Sequence, residues 1–301
     1  MSSGKSLDRY DQANVTFYVA LWKRAGIDRD SFDNYWKDVH GPVCARLPGQ
    51  HDYWQYHLGR AEGGIFPSIE GVKTACSLQD QFHGIAELTF ANADDRQTWF
   101  RASTILMDDE HNIFSKAIGY TTSPGQSKTL VHKEQTSLRN GRSSGPRYHI
   151  LIRKSSDKSV EQFRSFIHGT FAPALATIPE VAKLRYHLFD ELDLSRPDAQ
   201  GVAHSEPEES QYHGAIEIAF ANPLERERAL ASETYMHCME SISEFVDAYI
   251  PFPEMTAYTF VHEQAITMSG MRGAYTAQLI EDLGALNQLK VDITKLMMGT
   301  H

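Results

Sequence analysis

The sequence repeats itself, and this feature constrains the fold most. The phrase FHGIAELTFAN at residues 82–92 returns as YHGAIEIAFAN at residues 212–222, with six identities in eleven positions at an offset of 130. The same offset carries Tyr56-His57-Leu58 onto Tyr186-His187-Leu188. An offset of 131 carries Phe32, Tyr35, Pro42 and Pro48 onto Phe163, Phe166, Pro173 and Pro179. A one-residue insertion or deletion between Pro48 and Tyr56 reconciles the two offsets, and the pattern indicates a tandem duplication.

The duplication divides the chain into five parts. The first repeat spans residues 15–135 and the second spans residues 147–264. Residues 1–14 form a polar tail, residues 136–146 a linker rich in Gly and Ser, and residues 265–301 a C-terminal segment.

Each repeat has the same predicted order of elements. Segments rich in β-branched and aromatic residues predict strands, and apolar residues at helical spacing predict helices. In the first repeat these are strand 15–23, helix 30–46, strands 53–58 and 83–90, helix 94–115 and strand 128–134. In the second they are strand 148–153, helix 159–177, strands 183–189 and 213–220, helix 223–248 and strand 256–263. The order β-α-β-β-α-β predicts an α+β, ferredoxin-like repeat.

A four-stranded sheet of this kind has helices on one face only, so its other face must be buried. The second copy can cover it, and we predict that the two repeats pack sheet to sheet as an intrachain α+β barrel. The loops at residues 59–81 and 190–211 occupy equivalent places and have about twenty residues each. Such loops are typical of lids or binding loops, with a solvent-exposed insertion as the alternative.

After the second repeat, apolar residues at helical spacing in residues 273–298 predict one amphipathic helix. This helix either lies over its own barrel or pairs with a second chain, in which case the protein is a homodimer through the C-terminal helix.

Charge and cysteine content limit the partners. The net charge of −10 disfavours binding to nucleic acid and to anionic membranes, and leaves a small molecule as the expected partner. The polar start of the chain predicts no signal peptide, and no stretch predicts a transmembrane helix. Cys44, Cys76 and Cys238 are widely spaced and odd in number, which favours a reducing, cytoplasmic location.

The first repeat carries Tyr35, then His40-Gly41-Pro42, then Leu47-Pro48-Gly49. This pattern resembles the signature of the EthD family, a branch of the dimeric α+β barrel superfamily. The strand phrase at residues 82–90 is also similar to that family's strand, where Asp commonly stands in place of His83. In the second repeat the pattern is degraded, since Phe171 replaces His40 and Glu180 replaces Gly49.

The resemblance covers most of residues 15–264 and implies the fold more strongly than a reaction. The superfamily includes cofactor-free monooxygenases of aromatic polyketides, polyketide cyclases, lactone isomerases, and heme-binding dehydratases and peroxidases. Two-copy chains resemble proteins of specialised metabolism, including cyclase/decarboxylases of natural-product biosynthesis.

His40 is the candidate that distinguishes the two repeats. It lies near the end of a predicted helix and is either a general acid or base facing a cavity between helices and sheet, or a helix cap favoured by the dipole. Tyr35, five residues earlier, can reach the same pocket from the preceding turn. Because Phe171 cannot transfer a proton, we predict that the working site belongs to the first repeat.

A second candidate set lies on the strands. Strand alternation predicts that His83 and Glu87 share one face of the third strand, and His57 adds an imidazole from the neighbouring strand. Such a His–Glu set suits proton transfer near neutral pH, whereas a structural network between the sheets is the alternative. The aromatic residues predicted to shape an apolar substrate pocket are Trp22, Trp36, Tyr53 and Trp54.

No HExxH, CxxC, GxGxxG or P-loop pattern occurs, which predicts neither a metal site nor a cofactor. We therefore predict a cofactor-free acid–base enzyme, namely a cyclase, decarboxylase, dehydratase or isomerase, acting on a small apolar carbonyl-bearing metabolite. One alternative is a cofactor-free or heme-dependent oxygenase on the same fold. The other is a non-catalytic protein that binds a small molecule.

Overall fold

The computed structural model describes residues 13–134, 138–194 and 198–299. Most of the predicted N-terminal tail (residues 1–12) and the first two residues of the predicted linker (136 and 137) lie outside the described residues.

The first repeat contains five strands and four α-helices. Its strands are β1 (Val15–Lys23), β2 (Asp52–Leu58), β3 (Gly84–Phe90), β4 (Phe114–Thr122) and β5 (Ser127–His132). Its helices are α1 (Arg29–Tyr35), α2 (Gly41–Cys44), α3 (Ala93–Ala102) and α4 (Thr104–Ile113), with a π-helical turn at Trp36–His40 between α1 and α2.

The second repeat follows the same plan. A two-residue strand, β6 (Asn140–Gly141), precedes it, and its own strands are β7 (Arg147–Lys154), β8 (Val181–Leu188), β9 (Gly214–Phe220) and β10 (Val246–His262). Its helices are α5 (Val160–Phe166), a π-helical turn at Ile167–Phe171, α6 (Ala172–Ala176), the 3₁₀ turn Glu208–Ser210, α7 (Pro223–Leu230) and α8 (Glu233–Ile242).

The strands form one continuous path in the order β4-β1-β3-β2-β10-β7-β9-β8-β5. The long strand β10 pairs with β7 of its own repeat through its first half and with β2 of the first repeat through its second half. In the same way β4 pairs with β1, and β5, just after it in the chain, pairs with β8 of the second repeat. Each repeat's last strand therefore crosses into the other sheet, which confirms the predicted intrachain α+β barrel and leaves few strand edges unpaired.

The boundary between the second helical region and the last strand was predicted wrongly in both repeats. The predicted helix 94–115 divides at Ser103 and ends at Ile113, and β4, which the sequence analysis missed, begins immediately at Phe114. The predicted helix 223–248 likewise ends at Ile242. No Gly or Pro separates helix from strand at either place, so the local sequence offered no stop signal.

The alignment of the second strands was also wrong by one residue. In β2–β3, Tyr56 lies opposite Ile85, whereas in β8–β9 His187 lies opposite Ala215. Since Ile85 and Ala215 are equivalent at an offset of 130, Tyr56 corresponds to His187 and the offset on this strand is 131. A shift of one residue moves every side chain to the other face of a sheet. The shared Tyr-His-Leu phrase is therefore a coincidence, and the length change falls in the loop after the strand.

The two long loops cross over between the repeats. Phe66, Ile69 and Val72 of the first-repeat loop are buried in the core of the second repeat. Val202 of the second-repeat loop is buried in the core of the first. Each loop thus contributes buried apolar side chains to the core of the other repeat.

The C-terminal segment is not the single helix that was predicted. It forms β11 (Ala265–Ile266), α9 (Met268–Arg272), α10 (Ala274–Asp282), a 3₁₀ turn (Leu286–Leu289) and α11 (Val291–Met297). Glycines with positive φ lie at Gly273 (+87°) and Gly284 (+60°), where they interrupt the helical run. Small residues of α10 are buried, while Leu279, Leu283, Leu286, Leu289 and Leu296 are exposed. Within the described residues, no helix has the length and apolar character needed to cross a membrane.

Candidate active site

The first repeat presents its candidate side chains from a π-helical turn. The backbone N–H of Gly41 donates to the carbonyl of Trp36, five residues back. Five residues of α-helix would separate Tyr35 and His40 by about 140° of rotation, but the wider π turn reduces this angle. Both side chains consequently reach the same neighbour on α4, in agreement with the expectation that Tyr35 can reach the pocket of His40.

That neighbour is Asp109. His40 Nδ1 donates to Asp109 Oδ2 at 2.8 Å, and the Tyr35 hydroxyl donates to Asp109 Oδ1 at 2.5 Å. Asn112 Nδ2 donates to the same carboxylate at 3.0 Å. The hydrogen bond from His40 holds the pKa of Asp109 well below its usual range, and the hydrogen bond to Asp109 raises the pKa of Tyr35 to about 12. The ionised carboxylate fixes the hydrogen of His40 on Nδ1, so Nε2 remains as the basic nitrogen.

His40 lines a cavity between the helices and the sheet of the first repeat, which we call the first-repeat cavity. The His40 side chain is 8% exposed. Its ring packs edge to face against the Phe114 ring, with the ring centroids 5.7 Å apart. The cavity measures about 50 Å³, enough for water but far below the roughly 300–1,000 Å³ of most ligand pockets. Its remaining lining is mainly apolar: Phe17, Val19, Leu21, Trp36, Cys44, Tyr53, Ala86, Leu88, Trp99, Phe100, Ser103, Leu106, Glu110 and Phe114.

The second repeat has an equivalent π turn, but apolar residues stand at the positions of Tyr35 and His40. At its offset of 131, Phe166 replaces Tyr35 and Phe171 replaces His40, and both phenylalanines are buried in the core. The equivalent helices α4 and α8 align at an offset of 129. Ser103 and Ser232 immediately precede them, and the hydroxyl of each serine donates to the backbone carbonyl three residues back. At this offset Cys238 replaces Asp109. This difference between the helices can be recognised once the structure fixes their offset, and sequence analysis therefore did not identify Asp109.

One acidic side chain lines the cavity, and a residue of the second repeat holds it in place. Glu110 follows Asp109 on α4, and its Oε2 accepts a hydrogen bond from His204 Nε2 at 2.6 Å. His204 lies in the long loop that crosses from the second repeat, and both side chains are almost completely buried. Sequence analysis identified neither residue, since only the crossing of the loops brings them together.

The structure does not bring His57, His83 and Glu87 together. His57 lies on the helix side of the sheet, where it stacks on Trp36 with ring centroids 4.5 Å apart and donates from Nδ1 to Asp33 Oδ1 at 2.6 Å. Burial lowers the pKa of His57. The side chain of Glu87 lies on the opposite face, in the barrel interior, so strand alternation separates the two residues once the register is known.

His83 lies just before β3 and turns toward the helices. Its Nδ1 accepts the backbone N–H of Lys23 at 3.2 Å, and His213 Nδ1 accepts that of Lys154 at 3.4 Å in the second repeat. Burial lowers the pKa of both histidines to about 4. The equal contacts in both repeats favour a structural function, although the predicted catalytic function of His83 stays a prediction.

Glu87 belongs to a buried ionic network inside the barrel. Arg185 Nε lies 3.2 Å from Glu87 Oε1, and the Tyr56 hydroxyl donates to Oε2 at 3.1 Å. The equivalent Glu217 contacts Arg147 and Lys183, each at 2.9 Å. Burial raises the pKa of Glu87, whereas the two adjacent cations outweigh burial and hold the pKa of Glu217 well below its usual range.

The network includes three residues whose ligand atoms lie within 4.8 Å of one another, His149, Glu217 and Glu254. Such a group can hold a metal ion, and it is the one found among the described residues. Its carboxylates are already neutralised, because Arg139 pairs with Glu254 while two cations pair with Glu217. A divalent cation would have to displace these ion pairs, so the arrangement favours a salt-bridge network. Arg139 belongs to the predicted linker. The next two linker residues form β6, which pairs with β10.

The four aromatic residues predicted to bind substrate divide between the two sides of the sheet. Trp36 and Tyr53 line the first-repeat cavity. Trp22 and Trp54 face the barrel interior. Lys116 Nζ lies 3.7 Å from the centroid of the Trp22 ring. Only Trp36 and Tyr53 are therefore placed to contact a ligand beside His40.

Comparison with known proteins gives a domain match in the first repeat and a similarity of fold. Residues 24–117 match the EthD domain model. The structure resembles that of an anthrone oxidase-like protein, with a TM-score of 0.52, 7% identity, and coverage of 85% of this chain and 97% of the other. It also resembles a protein from Fusobacterium nucleatum described as a monooxygenase, with a TM-score of 0.50, 4% identity and coverage of 82% and 94%. No curated protein matches the chain in sequence.

The matched domain contains Tyr35, His40 and Asp109, and the structural matches extend over more than four fifths of the chain, so they include both repeats. At such low identity they establish the fold alone. The chain therefore contains a segment, residues 24–117, that is similar to the EthD domain, and its α+β fold resembles those of the two neighbouring structures.

Proposed function

We propose that this protein is an enzyme that removes a proton from an apolar, carbonyl-bearing small molecule whose reacting carbon enters the first-repeat cavity beside His40. The observation that carries the proposal is the hydrogen-bonded group of His40, Asp109 and Tyr35, of which His40 lines the apolar cavity, together with its replacement by Phe171, Cys238 and Phe166 in the second repeat. A scaffold alone does not need these polar groups, since the second repeat packs without them.

The chemistry follows from the hydrogen bonds. Asp109 holds the hydrogen of His40 on Nδ1, so Nε2 accepts the proton and the resulting imidazolium is stabilised by the adjacent carboxylate. Loss of a proton next to a carbonyl gives an enolate, and the apolar walls exclude water from it. The enolate can then be reprotonated at another carbon, expel a leaving group or close a ring, which are the steps of isomerases, dehydratases and cyclases.

A second candidate function is a cofactor-free oxygenase that uses the same first step. The names of the two structural neighbours, an anthrone oxidase-like protein and a monooxygenase, favour it. In this case the deprotonated methylene carbon reacts with dioxygen, and the balanced change is CH₂ + O₂ → C=O + H₂O. Both candidates require His40 as the base and differ only in whether oxygen is consumed.

Anthrone tests the two candidates, since its methylene group lies next to an aromatic ring system and opposite a carbonyl. Without oxygen, in deuterated buffer, we expect the protein to accelerate hydrogen exchange at this methylene group, and His40→Ala to abolish the acceleration. His111→Ala, an exposed histidine on α4, serves as the matched control. Uptake of one O₂ per anthrone in air would identify the oxygenase. Equal exchange with wild-type and His40→Ala protein would contradict the proposal.

A further inference from the structure

A buried indole N–H borders the first-repeat cavity. Trp99 of α3 lines this cavity together with His40 and is 6% exposed. Within the part of the chain that the structure describes, Trp99 Nε1 is buried and has no oxygen or nitrogen acceptor. Leaving a buried donor unpaired costs free energy, and a phenylalanine would avoid that cost. The indole N–H therefore gains a hydrogen bond when a ligand brings an oxygen atom into the cavity.

The hydroxyl of Tyr53 is a second donor beside the same cavity. Its oxygen accepts a hydrogen bond from Gln55 Nε2 at 2.7 Å. Gln55 Nε2 also donates to the backbone carbonyl of Trp36 at 3.1 Å, and because a carbonyl can only accept, this bond fixes the orientation of the amide. The Tyr53 oxygen is therefore the acceptor for Gln55, and its own hydrogen is left to donate to another group.

Both donors lie beside the sulfur of Cys44, which also lines the cavity. Burial raises the pKa of the Cys44 thiol to about 12, although the Tyr53 hydroxyl and the Trp99 N–H are close enough to stabilise the thiolate and so oppose this rise. The thiol therefore stays neutral, and a neutral thiol is a weak acceptor. An oxygen that gains negative charge is a much stronger one, so a ligand oxygen would draw both donors away from the sulfur.

The second repeat has apolar side chains at the positions of the hydroxyl and the thiol. At the offset of 131, which holds for the π turn and for the second strand, Leu184 replaces Tyr53 and Leu175 replaces Cys44. Both leucines are fully buried in the apolar cluster of the second repeat. Packing at these positions therefore does not require a polar group.

The position of the indole also differs between the repeats. Asn92 and Asn222 begin the equivalent helices α3 and α7, and the side chain of each accepts the backbone N–H three residues later. At this offset of 130, Ala229 replaces Trp99, and Ala229 is buried in the same apolar cluster. The first repeat thus has two hydrogen-bond donors around its cavity where the second repeat has none at the equivalent positions.

We propose that the Trp99 indole N–H and the Tyr53 hydroxyl bind the carbonyl oxygen of the substrate and stabilise the negative charge that this oxygen gains. This inference rests on the proposed function. When the C–H proton moves to His40 Nε2, the electrons of the broken C–H bond form a C=C bond and those of the carbonyl π bond move to oxygen, where both donors stabilise them. The oxygen binds at these donors rather than beside Glu110, because a carboxylate repels an enolate.

Trp99→Phe tests the indole donor, because it keeps an aromatic ring and removes the N–H. The measured quantity is kcat/KM for hydrogen exchange at the methylene group of anthrone without oxygen. We expect it to fall roughly 10²-fold or more, the scale for loss of one donor to an oxyanion. Tyr53→Phe should slow the exchange in the same direction. Trp22→Phe is the matched control and should leave the rate unchanged, since Trp22 Nε1 is also buried without an acceptor among the described residues but faces the barrel interior.

A titration followed by NMR tests oxygen binding without turnover. The protein has four tryptophans, and the indole N–H signal of Trp99 is identified by its loss in Trp99→Phe. The ligand is para-nitrophenolate, an aromatic oxyanion, and para-nitrotoluene is the control of similar shape without the oxygen. We expect the Trp99 signal to move downfield with para-nitrophenolate only, because an N–H that donates to an oxyanion is deshielded, while the Trp22 signal stays in place.

The outcomes separate this inference from the proposed function. Exchange that is as fast with Trp99→Phe as with wild-type protein, or a Trp99 signal that para-nitrophenolate does not move, would overturn the inference and leave the proposed function intact. Equal losses of rate in Trp22→Phe and Trp99→Phe would assign both indoles to packing and also overturn it. Wild-type protein that exchanges no hydrogen would overturn the proposed function, and the titration would then decide alone whether Trp99 binds an oxyanion.

Discussion

The two repeats share a backbone plan but differ in what fills the space between their helices and sheets. In the first repeat a hydrogen-bonded group of His40, Asp109 and Tyr35 borders a cavity. In the second, Phe171 and Phe166 are buried in a larger apolar cluster, and the rings of Phe166 and Phe245 stack at 4.1 Å. The comparison teaches that apolar side chains of suitable size are enough to fill these positions in the fold. The polar side chains of the first repeat are therefore not explained by packing.

The largest expected effect comes from removing the proposed base. His40→Ala should lower turnover by roughly 10²–10⁴-fold, the usual contribution of a general acid or base. Stability should change little, since a histidine near a helix end contributes about 1 kcal/mol. Steady-state rates and the thermal midpoint measure the two effects. If His40→Ala is active while His187→Ala is inactive, the functional assignment of the two repeats is reversed.

The barrel interior gives the next effect, on stability. Glu217→Gln should lower the free energy of unfolding by about 3 kcal/mol at pH 7, because it leaves Arg147 and Lys183 buried without their partner. The pKa of Glu217 is lower in the folded protein than in the unfolded chain. Its contribution to the free energy of unfolding is therefore present above the unfolded pKa of about 4.3 and is lost as the pH falls below it. The difference from wild type in urea denaturation should therefore shrink near pH 4.

Glu87→Gln is the matched variant in the first repeat and should behave in the opposite way. The folded-state pKa of Glu87 is raised, so the wild-type protein binds this proton more tightly when folded and loses stability as the pH rises through that pKa. Glu87→Gln should consequently be less destabilising at pH 7 than Glu217→Gln. Equal losses for the two variants would show that the two glutamates are energetically equivalent.

A smaller effect is expected from the residue that orients the base. Asp109→Asn keeps the shape of the side chain but not its charge, so it no longer stabilises the imidazolium. Turnover should fall roughly 10- to 100-fold, the scale found for partners that orient a functional imidazole. Steady-state kcat and KM, measured beside Asn112→Ala, which keeps the carboxylate, would show this loss. Unchanged turnover in Asp109→Asn would assign Asp109 to structure alone.

The smallest effect is expected for Tyr35→Phe, which copies Phe166 of the second repeat. It removes one hydrogen bond to Asp109, worth about 1 kcal/mol, but leaves His40 in place. Turnover should fall by less than about tenfold. A loss as large as that of His40→Ala would make Tyr35 a direct participant, such as the donor to the enolate oxygen.

Part of the fold and site could be predicted because it depends on local patterns. The duplication, the β-α-β-β-α-β order and the candidate His40 follow from spacing and residue type. The structure contains the first two and places His40 at a cavity, while its catalytic function stays a prediction. The strand β4 was missed because it begins directly after a helix. The grouping of His57 with Glu87 failed because one Tyr-His-Leu phrase recurs by coincidence in a different register, which placed His57 on the wrong face.

By itself the sequence determined that two copies of one α+β unit must bury their sheets against each other, because the apolar pattern is local and every copy has one uncovered face. It also determined that the second copy has Phe171, not histidine, at the position of His40. Only the tertiary structure decided which groups meet that imidazole. Asp109 lies 69 residues from His40 in the chain, and His204 lies 94 residues from Glu110. No local pattern encodes such contacts, because they exist only after the π turn reorients Tyr35 and His40 and the loops cross between the repeats.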